Sequence, residues 1–276
     1  MGGYGLFQSL PIPKTPQQYR VFRERLTAPL VTVELAFDRS FELEARDAEV
    51  LIQLRGQDVM WHKERLLNIG LQAVPAACRA IAWLDCDLVF EHSDWPCRAL
   101  EALQHYSVIQ LFSTVHEPRP TEPLGSTPGA GRKGTSVMRA LESGADSAKL
   151  LCKAARRRHG ICSGFAWAAN REVLRKGLYD ACILGGGNRA ILCAQLGRFE
   201  DAVHYLRMSN HWRRHYRGWA ERHQELAGSS VGYLPGRLAH LWHGSLRNRR
   251  YAERHIGLRR FRYDPRSDLA LEQWQA

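Results

Sequence analysis

Two aspartates, Asp85 and Asp87, interrupt the apolar stretch of residues 81–90 close to its end. Alternate residues of an ideal strand point to one face, so this spacing predicts two carboxylates side by side. Two neighbouring carboxylates repel each other unless a cation balances them. Hard cations such as Mg²⁺ and Mn²⁺ take oxygen ligands and commonly share them with substrate phosphates. The pair indicates a divalent-cation site, although two solvated acids at a strand end would give the same short pattern.

The stretch that carries the pair has the length and the β-favouring residues of a buried strand. Ligands in open α/β sheets bind beyond the carboxyl ends of the strands, which is where both acids would lie. Cys86, between them, is expected to point away into packing.

The flanking patterns alternate between strand and helix. Helical patterns cover 17–26 and 61–74 and a further stretch that begins after Asp94, and strand patterns cover 30–37, 48–54 and 106–112. This order predicts an α/β fold with a mostly parallel central sheet flanked by helices. A length of 276 residues fits one such domain spanning 1–276.

The remaining sequence is less regular. Residues 1–16 are rich in Gly and Pro and are expected to be irregular, and 115–148 contains enough Pro, Gly and Ser to predict a long loop or lid. We expect helices over 149–159, 171–176 and 211–226 and from the glycines at 185–187, strands over 164–169 and 231–242, and a basic tail over 244–276.

The bulk composition narrows the class of protein. The chain is 45% hydrophobic and carries a net charge of +11, which suggests an anionic partner such as a nucleic acid, a membrane surface or a phosphorylated ligand. No apolar run approaches the ~20 residues of a membrane helix, and the first residues do not form a secretory signal. The seven cysteines form no C-x-x-C pair, so we expect reduced thiols and a cytoplasmic location.

Four segments in order resemble a known pattern. They are 53–70 (QLRGQDVMWHKERLLNIG), the D-C-D strand, the glycine cluster at 185–188, and 241–245 (LWHGS) with its basic continuation. Together they resemble GT-A-fold glycosyltransferases of the β-1,4-galactosyltransferase type, in a bacterial branch. That family carries F-N-R-A-x-L-L-N-V-G, D-V-D-L, W-G-G-E-D-D and H-S-R in the same order.

The resemblance implies a GT-A-like fold and a nucleotide-sugar site. Trp61 would stack on the uracil of a UDP-sugar, and aromatic stacking on a nucleobase is physically reasonable. The alternative is that Trp61 is simply the first core residue of an amphipathic helix. Lys63 would lie near the base or the diphosphate, and Asp85 would contact the ribose or the water shell of the metal.

The resemblance also implies a metal centre with Mn²⁺, or Mg²⁺, as cofactor. Asp87 would bind the ion directly, Asp85 would lie next to it, and His243 would be the distant ligand, with His240 as the alternative. The bound cation would act as a Lewis acid on the leaving diphosphate.

The sugar and the proton acceptor would lie near the glycines. Gly164, Gly186 and Gly187 would let the backbone approach the donor closely. The family's acid just after its glycines serves as general base, but Asn188 stands at that place and its amide cannot take a proton. Either Asp180 or Asp201 supplies the base, or Asn188 only binds the acceptor, or the protein is catalytically weak.

A second departure concerns the beginning of the chain. GT-A domains start with a strand whose end touches the nucleotide, and before residue 30 the sequence offers only an irregular segment and a helix. The first strand is therefore expected to be missing or altered.

Three functions compete. The first is a metal-dependent glycosyltransferase that moves a sugar from a UDP-sugar to an acceptor hydroxyl with inversion, the acceptor being a glycan or a lipid-linked glycan reached through peripheral membrane contact. The second is a catalytically impaired relative that binds sugar nucleotides or glycans. The third is a basic nucleic-acid-binding protein, which the lack of any recognised nucleic-acid module disfavours.

Overall fold

The computed structural model describes residues 3–8, 16–37, 40–56, 58–118, 131–152, 160–241 and 253–269. The strands are β1 (Gly3–Gln8), β2 (Leu30–Ala36), β3 (Val50–Arg55), β4 (Ala80–Asp85), β5 (Leu88–Phe90), β6 (Val108–Gln110), β7 (Thr114–Glu117), β8 (Arg132–Ser136), β9 (Ile161–Cys162), β10 (Ala166–Asn170), β11 (Val231–Tyr233) and β12 (Arg237–His240). The helices are α1 (Pro16–Glu24), α2 (Lys63–Ala73), α3 (Trp95–Ala102), α4 (Val137–Glu142), α5 (Ser147–Cys152), α6 (Gly187–Gln195), α7 (Phe199–Leu206), α8 (Asn210–Ala227), α9 (Glu253–Arg259) and α10 (Pro265–Asp268).

A seven-stranded sheet forms the centre of the fold, in the order β11-β6-β10-β4-β1-β2-β3. β1, β2, β3 and β4 are parallel, and β10 runs antiparallel to both of its neighbours. The predicted α/β fold with a mostly parallel central sheet is confirmed. The chain winds outward from β1 to β3 and then returns to place β4 on the other side of β1, which creates a topological switch point between β1 and β4.

Helices cover both faces of this sheet because β4 is apolar on both. Ile81 and Trp83 belong to the hydrophobic cluster that includes Leu67 of α2 and Trp212 of α8. The alternate residues Ala80, Ala82 and Leu84 belong to the cluster that includes Phe22 of α1 and Trp95 of α3. Alternation of side chains along a strand explains this division, and burial on both faces is typical of parallel sheets.

The long apolar strand predicted over 81–90 is wrong in its continuity. β4 ends at Asp85, a turn covers Cys86 and Asp87, and β5 joins a different sheet. Asp85 and Asp87 are therefore not alternate residues of one strand. Hydrophobic periodicity did not reveal the break because the residues on both sides of the turn are apolar and buried.

A second, five-stranded sheet has the order β5-β12-β7-β8-β9. The prediction of one loop over 115–148 is wrong for the residues described, since β7, β8 and α4 and the start of α5 lie there. The single final strand predicted over 231–242 is also wrong, because β11 pairs in the central sheet and β12 in the second. The chain thus passes from the central sheet to the second sheet three times in its described part, between β4 and β5, between β6 and β7, and between β11 and β12.

The N-terminal prediction needs correction as well. Residues 3–8, expected to be irregular, form β1 between β2 and β4, so the strand expected to be missing is present. Gln8, at the end of β1, is in register with Asp85 of β4. In the basic tail, the described residues 253–269 contain α9 and α10. No helix in the described part of the chain has the length and apolar character needed to cross a membrane.

Candidate functional site

The site begins where β4 ends, beside the switch point of the central sheet. Asp85 is the last residue of β4, and Lys63 is the first residue of α2. The Lys63 ammonium forms an ion pair with Asp85 Oδ1, and the two side chains are 5% and 18% exposed. Because α2 follows β3, its N-terminus begins at the carboxyl edge of the sheet. The structure therefore brings together two residues predicted for the donor site, and Asp85 is held by an ammonium group.

Asp87 meets a histidine of the second sheet. Its side chain is fully buried, and its Oδ2 atom lies 3.2 Å from His240 Nε2. The backbone fixes the approach, since the Leu241 N–H donates to the Asp87 carbonyl at 2.8 Å. His240 is the alternative that the sequence offered for His243, which lies outside the described residues.

A carboxylate holds the other side of the His240 ring. Glu117 Oε1 lies 3.6 Å from His240 Nδ1, and Arg132 Nη2 lies 2.5 Å from Glu117 Oε2. Burial raises the pKa of Glu117, but the hydrogen bond and charge of His240, together with Arg132, outweigh burial and lower the pKa to about 2. Glu117 is therefore ionised at neutral pH. It favours the His240 tautomer that carries its proton on Nδ1, which leaves Nε2, the nitrogen that faces Asp87, without a proton.

Phe165 connects Asp85 to His240. Its carbonyl accepts the Asp85 N–H at 2.8 Å, and its ring lies 4.4 Å from the His240 ring. Phe165 has a φ of 77°, which is uncommon for a residue with a bulky side chain. The hydrogen bond with Asp85 and the ring contact with His240 help to hold the backbone in this conformation.

The donor set suits a hard divalent cation. Two neighbouring ligands of an octahedral ion, each about 2.1 Å from it, lie roughly 3 Å apart, which is close to the 3.2 Å between Asp87 Oδ2 and His240 Nε2. Within the described ranges no group of three or more His, Cys, Asp or Glu side chains is arranged to hold a metal. Two protein ligands fit an ion that takes its remaining ligands from phosphate oxygens and water.

The glycine cluster lies against the same edge. A Cβ atom on Gly185 would lie 3.3 Å from the Trp61 ring. The backbone N–H of Trp61 donates to the Ile183 carbonyl at 2.9 Å. A Cβ atom on Gly164 would lie 2.8 Å from the Asn188 amide nitrogen. The structure thus brings Gly164 next to Asn188, and the glycine run next to Trp61.

Gly186 and Gly187 are packed too closely for a side chain. Gly186 has a φ of 97°, and a Cβ atom there would lie 2.5 Å from Leu206 Cδ2. The place of a Gly187 Cβ atom is filled by the carboxyl group of Glu64. These contacts explain why glycine is required at both positions, whether or not a sugar also approaches them.

Glu64 is a buried carboxyl group that sequence reasoning missed. It accepts a hydrogen bond from Trp61 Nε1 at 3.1 Å, and its side chain lies at the N-terminus of α6. Burial, with a smaller contribution from the Asp85 charge, raises the pKa of Glu64 to about 7 despite the opposing effect of Lys63. No motif marked it, because an acid beside a lysine at the start of a helix is common.

The C-terminal part of the chain also reaches the site. The guanidinium carbon of Arg254, in α9, lies 5.9 Å from the centre of the Trp61 ring. An Arg254 nitrogen would lie 3.0 Å from a Cβ atom on Gly185. The basic tail therefore brings one positive charge to the edge at which Trp61 and the glycines meet.

The two predicted alternative bases have other partners. Asp180 Oδ2 lies 3.3 Å from Arg65 Nη1 and 3.1 Å from Asn68 Nδ2, so it is held against α2. Asp201 Oδ2 accepts from Arg198 Nε at 2.6 Å. The described contacts place neither carboxylate against Asn188.

No protein-family model matches the chain, and no curated protein matches it. Among solved structures, it is similar to S. aureus TarS 1–349 in complex with UDP-GlcNAc, with 8% identity and a TM-score of 0.46, covering 89% of this chain and 60% of that one. It is also similar to S. aureus TarS 1–349 with 9% identity and a TM-score of 0.41, covering 69% of this chain and 53% of that one. The chain thus spans 53 to 60% of the length of the TarS 1–349 chains.

A third match covers more of both chains. Glucosyl-3-phosphoglycerate synthase from Mycobacterium tuberculosis, in complex with Mn²⁺ and uridine-diphosphate-glucose, is 14% identical, covers 99% of this chain and 85% of that one, and gives a TM-score of 0.46. With identities of 14% or less and TM-scores of 0.46 or less, these matches assign no substrate, metal or residue to this chain.

Proposed function

We propose that this chain is a metal-dependent glycosyltransferase of the GT-A type that transfers a sugar from a UDP-sugar to an acceptor hydroxyl with inversion. The observation that carries the proposal is the Asp87–His240 pair, 3.2 Å apart beside the end of β4. It lies next to the switch point between β1 and β4, where open α/β sheets bind nucleotides. The buried ammonium of Lys63 lies at the same edge.

The chain's own groups have distinct tasks in this proposal. Asp87 and His240 would hold Mn²⁺ or Mg²⁺, and Glu117 would orient the imidazole. Lys63 would lie beside the diphosphate, and its ion pair with Asp85 keeps both side chains in place before the donor binds. A bound cation would stabilise the negative charge that develops on the leaving phosphate.

Trp61 and the glycines would hold the remainder of the donor. Stacking of the uracil on the Trp61 ring is worth roughly 1 to 3 kcal/mol in comparable sites. Gly164 and Asn188 lie in contact and would face the sugar or the acceptor. Assignment to the β-1,4-galactosyltransferase type rests on the sequence resemblance.

The acceptor is proposed by class alone. A net charge of +11 suits an anionic acceptor or an anionic membrane surface on which a lipid-linked glycan is presented. Nucleic acid is not part of the proposal.

A second candidate is a catalytically impaired protein that binds sugar nucleotides or glycans. It is favoured by Asn188, which replaces the acid of the resembled pattern with an amide that takes no proton. Replacing Asn188 with Asp separates the two: a protein that lost its base should gain turnover, whereas an enzyme with its base elsewhere should gain little.

Release of UDP from a panel of UDP-sugars tests the proposal, with water as the acceptor and Mn²⁺ present. We expect turnover with at least one donor and its loss in Asp87→Asn. Asp94→Asn is the matched control, because Asp94 is an exposed acid before α3 whose side chain makes no capping hydrogen bond. Absence of both UDP binding and turnover would reject the transferase proposal.

A further inference from the structure

The carboxyl group of Glu64 occupies the space in which a side chain on Gly187 would begin. Glu64 belongs to the first turn of α2, and Gly187 is the first residue of α6. The Glu64 side chain is held by the Trp61 indole, whose Nε1–H donates to Oε2 at 3.1 Å. Its other oxygen, Oε1, is the one nearest to Gly187.

The contact between Glu64 and Gly187 supplies a carboxyl group that the glycine segment itself lacks. The resembled pattern W-G-G-E-D-D continues from its glycines into acids, whereas this chain continues into Gly187 and Asn188, neither of which carries a carboxyl group. Here α2 supplies a carboxyl group to the position of the missing side chain, from a different element of the fold. We propose that Glu64 is the general base of the transfer reaction, a role moved from α6 to α2; this rests on the proposed glycosyltransferase function.

The reaction balances with this group alone. The acceptor oxygen forms a bond to the anomeric carbon of the donor, the bond from that carbon to the diphosphate oxygen breaks, and the electron pair leaves with UDP. The hydroxyl proton passes from the acceptor to Glu64 Oε1 and is later lost to solvent. A base works best when its pKa lies near the operating pH, and burial raises the pKa of Glu64 to about 7.

The other carboxylates of the site are committed elsewhere. Asp85 pairs with Lys63, Asp87 faces His240, and Asp180 is held by Arg65 and Asn68. A purely structural role for Glu64 is the competing explanation, because a carboxylate near the N-terminus of a helix is stabilising. The two roles differ in the pH dependence of turnover.

The experiment measures UDP release from a panel of UDP-sugars, with water as acceptor, across about pH 5 to 9. Glu64→Gln keeps the shape of the side chain and an acceptor for the Trp61 indole. We expect it to bind UDP as the wild type does, to lose turnover by about 10²- to 10⁴-fold, and to lose the rise of the rate with pH near neutrality. A structural role would not remove that pH dependence.

A transposed variant provides the second test. Glu64→Gly should be inactive, and Glu64→Gly combined with Gly187→Glu should regain part of the turnover, because the carboxyl group returns to α6. Thermal unfolding of each variant checks that it is folded.

Each remaining outcome is decisive. Wild-type turnover and pH profile in Glu64→Gln would overturn the assignment of the base. A wild type that binds UDP but releases it from no donor would also overturn the assignment, while the donor site stands. A wild type that does not bind UDP would reject the proposed function itself.

Discussion

Replacing Lys63 with Met removes the ammonium group that pairs with Asp85 and keeps most of the side chain's length. The two side chains are 5% and 18% exposed, so the pair is largely shielded from water. In the variant the Asp85 carboxylate remains at the carboxyl edge of β4 without its ammonium partner. Solvent replaces that partner poorly, because most of the Asp85 side chain is buried.

The expected cost follows from this burial. Removing one partner of a buried ion pair destabilises a protein by about 3 to 5 kcal/mol. Because Asp85 retains some contact with water, we expect the lower end, about 3 kcal/mol. A domain of this size would lose roughly 6 to 12 °C in Tm from such a change.

Urea unfolding of Lys63→Met and of the double variant Lys63→Met with Asp85→Leu measures the effect. Replacing both partners by apolar groups is often nearly neutral, so the double variant should recover most of the stability while losing affinity for UDP. An unchanged urea midpoint in Lys63→Met, with an unchanged slope, would refute the reasoning that this pair is buried and matters for folding.

Three further predictions concern stability. Gly186→Ala should lower the free energy of unfolding by about 1 to 3 kcal/mol, because Gly186 has a φ of 97° and the place of its Cβ atom is filled. Gly218→Ala in α8 should be neutral or stabilising, because a Cβ atom there would have no other atom within 4 Å, and thermal unfolding of both variants measures the difference. The pKa of Glu117 is lowered to about 2, so the stability that its carboxylate contributes to the fold is present above about pH 4.5 and is lost as the pH falls toward 2. The free energy of unfolding of Glu117→Gln should be lower than that of the wild type by up to about 3 kcal/mol at pH 7. Urea unfolding should show this difference shrinking in acid. Burial lowers the pKa of His223 from 6.5 to about 4, so the stability that depends on its neutral form is fully present above pH 6.5 and is lost as the pH falls toward 4. In urea unfolding, His223→Phe should therefore match the stability of the wild type at pH 8 and exceed it at about pH 4.5.

The local elements were predictable because their patterns are strong. The strand at β2 and the helices α2 and α8 combine hydrophobic periodicity with clear ends, and each was expected close to its observed bounds. The glycines that open α6 were also readable, because Gly186 takes a backbone conformation that other residues rarely adopt.

The second sheet was not predictable from such patterns. β5 and β12 are short, and the pairing of His240 with Leu88 joins residues far apart in the sequence. Periodicity reports which residues are apolar but not which sheet a strand joins, so it predicts one strand over each of the apolar stretches 81–90 and 231–242. The strand β1 is not predicted because it is short and contains two glycines, which leaves too few side chains for a strand pattern.

Sequence motifs mark part of the candidate site. Asp85, Asp87, Trp61 and Lys63 came from the D-C-D and helix segments, and the structure brings Lys63 onto Asp85. The sequence gives no signal for Glu64, because its contact with Gly187 is a relation between two helices that no local pattern records.

Glu117 and Phe165 were missed for a similar reason, since their contacts with His240 depend on the pairing of β7 and β12 and on the turn before β10. Asp180, by contrast, is predicted only from its nearness in sequence to the glycines, and its carboxylate lies against Arg65 and Asn68.

The most direct test of a nucleotide–metal site is calorimetric titration of UDP into the purified protein, with and without Mn²⁺, beside Asp87→Ala. We predict binding that requires Mn²⁺ and is lost in the variant, because Asp87 and His240 together would hold the ion that the diphosphate shares. Asp94→Ala, tested in parallel, should bind as the wild type does. Binding that is equal with and without Mn²⁺ and unchanged in Asp87→Ala would contradict the metal site, and no binding in any condition would contradict the donor site as a whole.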